Sequence, residues 1–524
     1  MLIPQGMAYA MLAGMPLVNG LYAATIPLVL YAIFGTSRRL SVGPVALDSI
    51  LLSSGLVGMA VAGSEDYISI AILLACMVGT IQLLMGLARL GFLVNFLSRP
   101  VISGFTSAAA LIIALSQLGH LLGISLPRTN QAYMYVVNSV RGAEQIHGPT
   151  LLLGLLGIGF IYGLKRWKPG FPGALVAVAL ATAAAWFLGL ENMGIGIVEN
   201  VPAGFPLPVL PEIDGNQLLE LAPIAGTLAL VGFMEVYSIG KALEVRYRDH
   251  EVDANQELIA MGAANFSAGI FRGFPVRGGF SRSAVTAQSG ANTGMATMIS
   301  AEFVSLTLIF LTDMLYTMPK AILASLIMVA VAKLIDWRTA RRVWFEDRAD
   351  FYLLIATFLA TLTLGIPNGI GIGVGLSLLV VIYRSAYPHM AVLGRLANTR
   401  HYRNLKRFPY AEDRSDILVL RFDAEMYYAN VNFFRDRLRE LVDQKGEDLK
   451  LVVLNAESIH HLDSTAVAVL TGLIQDLRSK GVAFKFAAVN GPVRDIVFRS
   501  GLIKELEGEG MYIHVSEAVR HFDA

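Results

Sequence analysis

The chain has 524 residues, of which 55% are hydrophobic and only 15% charged, with a formal net charge of +1. Soluble domains carry about 25% charged residues, and no basic, aromatic-rich patch suits nucleic acid. The single Cys76 excludes an internal disulfide, no cluster of His, Cys or carboxylates has metal-ligand spacing, and no cofactor or metal is expected.

Apolar runs such as Leu151–Leu164, Ala174–Leu190 and Phe351–Leu364 read as membrane spans. The connecting loops alternate in charge. Arg38 and Arg39, Arg89 and Arg99, Lys165 to Lys168, Lys241 to Arg248 and Arg338 to Arg348 form a basic set. Ser64–Asp66 is acidic, and Gly189–Leu219 holds Glu191, Glu199, Glu212 and Asp214 without a Lys or Arg. The positive-inside rule puts the basic set in the cytoplasm, and with it the chain after Arg384. No Lys or Arg precedes Arg38, which argues against a signal peptide. Hydropathy alone gives about twelve to fourteen segments, because half-helices score poorly.

Two polar interruptions matter for chemistry. Glu235 lies in the apolar stretch Leu228 to Ile239, where an acid is costly and marks either function or a structural ion pair. The stretch GFPVRGGFSRSAVTAQSGAN, Gly273 to Asn292, is too polar and glycine-rich to face lipid. If it lines a cavity, a half-helix starting near Ser281 aims its first N–H groups, its positive dipole end and the Arg282 guanidinium at one point, which suits a small oxyanion. Gln5 and Tyr9 share one helix face by their i, i+4 spacing. Val45 and Ala46 follow Gly43-Pro44 at a second half-helix start. Asp48, one turn on, faces either the site or a domain interface, and near an anion it must be protonated or paired. Arg277 is expected at the outer entrance, as an anion funnel or an exposed inert charge.

From Tyr410 the texture changes. Ile417–Phe422, Leu451–Leu454 and Phe484–Val489 read as strands, and Phe433–Leu441 and Ser464–Leu477 as amphipathic helices, a small α/β domain. Ser464 and Thr465, after Asp463, suit a helix N-cap. His460 and His461 are read as surface residues.

Four ordered motifs then resemble the SulP/SLC26 anion transporters: LIPQGMAYA at Leu2–Ala10, GTSRRLSVGPVAL at Gly35–Leu47, FMEVYSIGKAL at Phe233–Leu243, and the Gly273–Asn292 stretch. The C-terminal region, including HLDSTAVAVL at His461–Leu470, resembles the STAS domain of that family. The resemblance implies a multi-pass α-helical membrane protein with a 7+7 inverted-repeat transporter fold of about fourteen segments and a small cytoplasmic α/β STAS domain. The expected division is 1–390 transporter, 391–414 linker and 415–524 STAS. Met1 falls inside the first motif, so the first segment is expected to be truncated. The resemblance places Gln5, Tyr9, Val45, Phe280, Ser281 and Arg282 at the substrate. Ser464 and Thr465 then stand where regulatory STAS proteins carry a phosphorylatable hydroxyl. It also implies a homodimer and a cytoplasmic partner for the STAS domain. Relative to the family pattern, Asp48, Arg277, Gly279 and Thr286 are departures.

The expected function is secondary-active anion transport in the inner or plasma membrane, with sulfate and protons carried together by an elevator-like alternating-access mechanism. Glu235 is expected to carry the coupling proton and, when ionised, to offset Arg282, with Asp48 a secondary coupling group. Bicarbonate or a fumarate-like dicarboxylate is the alternative within the class. A passive anion channel or a STAS-based sensor is the alternative outside it. No nucleophile–base constellation points to an enzyme.

Overall fold

The computed structural model describes residues 1–524 apart from 97, 128, 130, 168–172, 199–200, 212–213, 249 and 507–509. Lys168, Glu199 and Glu212, which entered the charge pattern, lie outside the described residues. The chain divides into two compact units, Met1–Ser377 and Leu378–Ala524.

The first unit is helical. Among the described residues, Leu17–Phe34, Glu65–Leu87, Arg99–Leu122, Gly215–Tyr247 and Asn368–Ala386 are long and apolar enough to cross a bilayer. Shorter apolar helices include Leu2–Ala13, Gly148–Leu164, Gly173–Leu188 and Met295–Phe310. Glu65–Leu87 starts cleanly because Ser64 caps it, its side chain accepting from the Tyr67 N–H at 3.2 Å, with Glu65 and Asp66 in the first turn. The helix Gly215–Tyr247 spans 33 residues, about 50 Å at the helical rise and longer than a bilayer core. It continues through Pro223, whose own carbonyl accepts from the Thr227 hydroxyl at 2.8 Å.

Glu65–Leu87 packs closely against Ala254–Ile270, and glycine explains it. A Cβ at Gly79 would lie 2.3 Å from the Phe266 backbone nitrogen, and one at Gly262 would lie 2.7 Å from that of Leu83. Without side chains there, the two backbones touch, which is how helices associate where solvent offers no hydrophobic drive.

Glu257, at the start of the second of these helices, is fully buried yet well partnered. Its carboxylate accepts from the Tyr31 hydroxyl (2.8 Å), the Thr36 hydroxyl (2.6 Å), and the backbone N–H groups of Thr36 (2.8 Å) and Ser37 (3.0 Å). It thereby fixes the loop that leaves the helix Ile26–Phe34.

The second unit is built on a six-stranded sheet. In spatial order its strands are Tyr402–Asn404, Met390–Arg395, Ile417–Phe422, Leu451–Asn455, Ala483–Ala487 and Met511–Tyr512. The first two joints are antiparallel and the other three parallel. The apolar run of Ile417–Phe422 follows from burial on both faces. Leu418, Leu420 and Phe422 join the core under the helices Val431–Lys445, Ser464–Ser479 and Gly491–Arg499, while Ile417 and Val419 pack toward the last helix, Val515–Asp523.

Two expectations are corrected here. The stretch 391–414 is not a plain linker: it supplies two strands, because the alternation around Ala391 and Leu393 buries both beside Ile417 and Val419. The helix starting at Ser464 is capped by Asp463, which accepts from the Ala466 N–H at 2.7 Å, while Ser464 and Thr465 stand exposed in the first turn. His460 accordingly lies at the surface, with Nδ1 3.1 Å from the Asn490 amide nitrogen.

Asp423 ties the first long strand to His389. Burial alone raises its carboxyl, but hydrogen bonds from Arg421 and His389 outweigh that and leave it below the usual carboxylate value. A depressed carboxyl adds stability above its unfolded value and loses it as pH falls through the folded one. Thermal melting of the full protein at acid pH should therefore lose this contribution, and Asp423→Asn should be less acid-dependent than wild type. For the membrane unit, Glu257→Ala should lower the melting temperature in detergent more than Glu257→Gln does, because each buried donor left unpaired costs about 1–3 kcal/mol.

Candidate functional site

Two short extended pieces cross inside the first unit. Val42–Gly43 pairs antiparallel with Arg277–Gly278, Val42 opposite Gly278 and Gly43 opposite Arg277. Each runs directly into a short helix: Ala46–Gly55 after Pro44 and Val45, and Phe280–Gln288 after Gly279. The half-helix starts expected at Val45–Ala46 and near Ser281 lie at these positions. Neither helix has a side-chain cap, so the first-turn N–H groups of both remain for other partners. The crossing is fastened on its other side, where Gly279 N–H donates to the Ser41 carbonyl and Ser41 N–H to the Ser283 hydroxyl, both at 3.0 Å. Gly43 has φ 147°, a conformation that side chains resist, and a Cβ there would approach Arg282 Nη2 to 3.4 Å.

Arg282 is buried at the start of the second half-helix. Its Nη1 donates to the Pro44 carbonyl at 2.9 Å and to Gln5 Oε1 at 3.4 Å. Its Nε and Nη2 are buried with no hydrogen-bond partner among the described residues. Tyr9, one turn beyond Gln5, is also buried and within electrostatic reach of this guanidinium. Val45 is half-buried beside Pro44, whereas Phe280 and Ser281 are exposed in the first turn of their helix. Gln5, Tyr9, the Pro44–Val45 turn and Arg282 are thus drawn together, with Phe280 and Ser281 at the accessible edge.

The acids behave differently from expectation. Arg277 is not at an entrance: it is fully buried and ion-paired to both Asp48 and Glu235, its Nη1 lying 2.8 Å from Glu235 Oε2. Its place opposite Gly43 explains this, since the side chain enters the space between the helices Ala46–Gly55 and Gly215–Tyr247. Gly232 leaves room for it there, as a Cβ at that position would lie 3.3 Å from Arg277 Nε. The direct offset of Arg282 by Glu235 is therefore corrected: the ion pair that Glu235 makes is with Arg277, and Asp48 shares the same guanidinium. A buried charge without a partner is prohibitive, so an arginine in this space has to draw in the nearest carboxylates.

A chain of amides, missed in the sequence, holds Arg277 in register. Gln82 donates to the Ala229 carbonyl (3.1 Å), Asn265 donates to Gln82 Oε1 (2.9 Å), and Val276 N–H donates to Asn265 Oδ1 (2.7 Å). The signal was available, as Gln82 and Asn265 are isolated amides in apolar helices. Glu257 was missed for the same reason. At another corner of the unit, Arg39 lies buried, donating to Asn292 Oδ1 at 2.6 Å and stacking 4.2 Å from the Tyr247 ring. Cys76 is buried against the helix Ala254–Ile270, its Sγ 3.8 Å from the Phe266 carbonyl.

Arg282 Nε and Nη2 lie unpartnered beside two uncapped helix starts, which is chemistry suited to an oxyanion. Among the described residues no group of His, Cys, Asp and Glu is arranged to hold a metal ion.

The sulfate permease family model matches residues 1–357 and the STAS domain model residues 409–518. The chain is 37% identical to sulfate transporter 4.1, chloroplastic, of Arabidopsis thaliana, over 99% of this chain and 78% of that protein. It is 35% identical to a probable sulfate transporter of Mycobacterium tuberculosis, over 99% of this chain and 93% of that one. In fold it is similar to the murine Solute Carrier 26 family member A9 anion transporter in its inward-facing state, with a TM-score of 0.92 at 24% identity over 99% of this chain and 89% of that chain. It is also similar to the transmembrane domain of the cyanobacterial bicarbonate transporter BicA, with a TM-score of 0.62 at 23% identity over 72% of this chain and 93% of that one. The chain belongs to the sulfate permease (SulP/SLC26) family of anion transporters, a multi-pass helical membrane protein with a C-terminal STAS domain.

Proposed function

We propose that this protein is a sulfate:proton symporter, in which Arg282, Gln5, Tyr9, Val45, Phe280 and Ser281 hold the anion and Glu235 carries the coupling proton. The observation that carries the anion site is the Arg282 guanidinium, buried with Nε and Nη2 unpartnered between two uncapped half-helix starts. A sulfate oxygen would complete those donors, and the accessible Ser281 hydroxyl would add another. The choice of sulfate rests on relatives named as sulfate transporters.

Coupling follows from charge. Each negative charge entering against an inside-negative potential costs about 2.3 kcal/mol per 100 mV, and a dianion about twice that. Accumulation therefore needs accompanying cations. Ionised Asp48 and Glu235 balance Arg277 and Arg282, so the site starts near neutrality. A proton on Glu235 leaves one net positive charge to meet the arriving dianion. The two half-helices would move together against a gate formed by the remaining helices, in an elevator-like exchange of access between inverted repeats. The reading includes a homodimer in the inner or plasma membrane, with the STAS domain cytoplasmic and open to a protein partner. The exposed Ser464 and Thr465 would be available to a regulatory kinase.

Reconstituted into proteoliposomes, the protein should take up labelled sulfate faster with an inward proton gradient and without sodium. Arg282→Ala should lower uptake by about 100-fold, since two charge-assisted hydrogen bonds are lost. Glu235→Gln should abolish acid-driven accumulation while sparing sulfate–sulfate exchange. Competition by bicarbonate or fumarate in place of sulfate would reassign the anion, and currents far above carrier turnover would identify a channel.

A further inference from the structure

We propose that Asp48 is a positioning residue for proton coupling: by competing for Arg277, it sets how firmly Arg277 holds Glu235 and thus the pH at which the carrier accepts its proton. The inference rests on the symport reading above and adds a residue to it.

Three buried groups form the device. The Arg277 side chain is 0% exposed, Asp48 3% and Glu235 17%. Glu235 is therefore the less enclosed carboxylate, and Asp48 the more enclosed one. Both acids contact the same guanidinium, Asp48 through Nη2 and Glu235 through Nη1. One cation cannot fully satisfy two anions. Whatever attraction Arg277 gives to Asp48 is withdrawn from Glu235, which also has a like charge close by. The neighbouring elements add little further charge. Gln82 and Asn265, from the helices Glu65–Leu87 and Ala254–Ile270, are neutral amides bonded to each other, and Glu257 is committed to Tyr31, Thr36 and Ser37. Arg282, with Tyr9 beside it, is bonded to Pro44 and Gln5 rather than to either acid.

The two members of the pair should then act in opposite senses. In Asp48→Asn, Glu235 has Arg277 to itself, and uptake should require more acid. In Arg277→Gln, Glu235 faces Asp48 without a cation between them, and uptake should persist to higher pH.

The experiment is labelled-sulfate uptake into proteoliposomes across a series of external pH values, with sulfate–sulfate exchange measured on the same preparations to confirm folded carrier. Wild type should be stimulated by acid. The midpoint should move by about one pH unit toward acid in Asp48→Asn and by a similar amount toward alkali in Arg277→Gln. Asp48→Glu, which keeps the charge, should stay near the wild-type midpoint. If wild type shows no acid stimulation, the symport reading fails and this inference with it. If wild type is stimulated but Asp48→Asn and Arg277→Gln change only the maximal rate, symport stands and Asp48 is merely structural. A shift of both variants in the same direction also overturns the inference. Should Asp48→Asn lack exchange activity, Arg277→Gln reads the same pair from its other side, and an unmoved midpoint there overturns it.

Discussion

A guanidinium sealed inside a helical membrane unit has to be matched by negative charge, and this requirement organises the interior of the protein. Arg277 has no exposure, and it is met by one carboxylate from the helix Ala46–Gly55 and one from Gly215–Tyr247. Those contacts join the two crossing strands to the longest helix. The amide chain from Ala229 through Gln82 and Asn265 to Val276 fixes the same strand from the opposite side. The backbone can leave helical form here because the strand pairing and this amide chain satisfy part of the freed polar groups within the protein.

Two arginines five positions apart thus have different fates. Arg277 is ion-paired to two acids, whereas Arg282 has no carboxylate partner among the described residues and keeps Nε and Nη2 without a hydrogen bond. The difference comes from local geometry. One residue belongs to the strand and projects toward the acidic helices. The other opens the following helix and leans toward Pro44 and Gln5.

Much of this was legible in the residues. The polar, glycine-rich stretch from Gly273 had to be enclosed, and Arg282 at a half-helix start followed from the same argument. The alternation of strands and helices after Tyr410 emerged with small errors at the ends. Side-chain direction was not legible. Nothing in the spacing says that Arg277 turns inward, because that depends on its register opposite Gly43 and on the space left by Gly232, a contact between segments far apart in the chain. The strands in this stretch were hidden because Arg395 to Arg414 is basic and polar, and only pairing sets Met390–Arg395 between Ile417–Phe422 and the edge strand Tyr402–Asn404. Ser464 and Thr465 were assigned to the cap because their hydroxyls suit it, but Asp463 precedes them and already has the geometry.

The bare glycines between Glu65–Leu87 and Ala254–Ile270 have a mechanical meaning. With backbone resting on backbone at Gly79 and Gly262, this seam has little slack to absorb a displacement. A bilayer of unusual thickness would tilt or bend the outlying helices first, while the seam and the amides seated on it would travel as a single stiff piece.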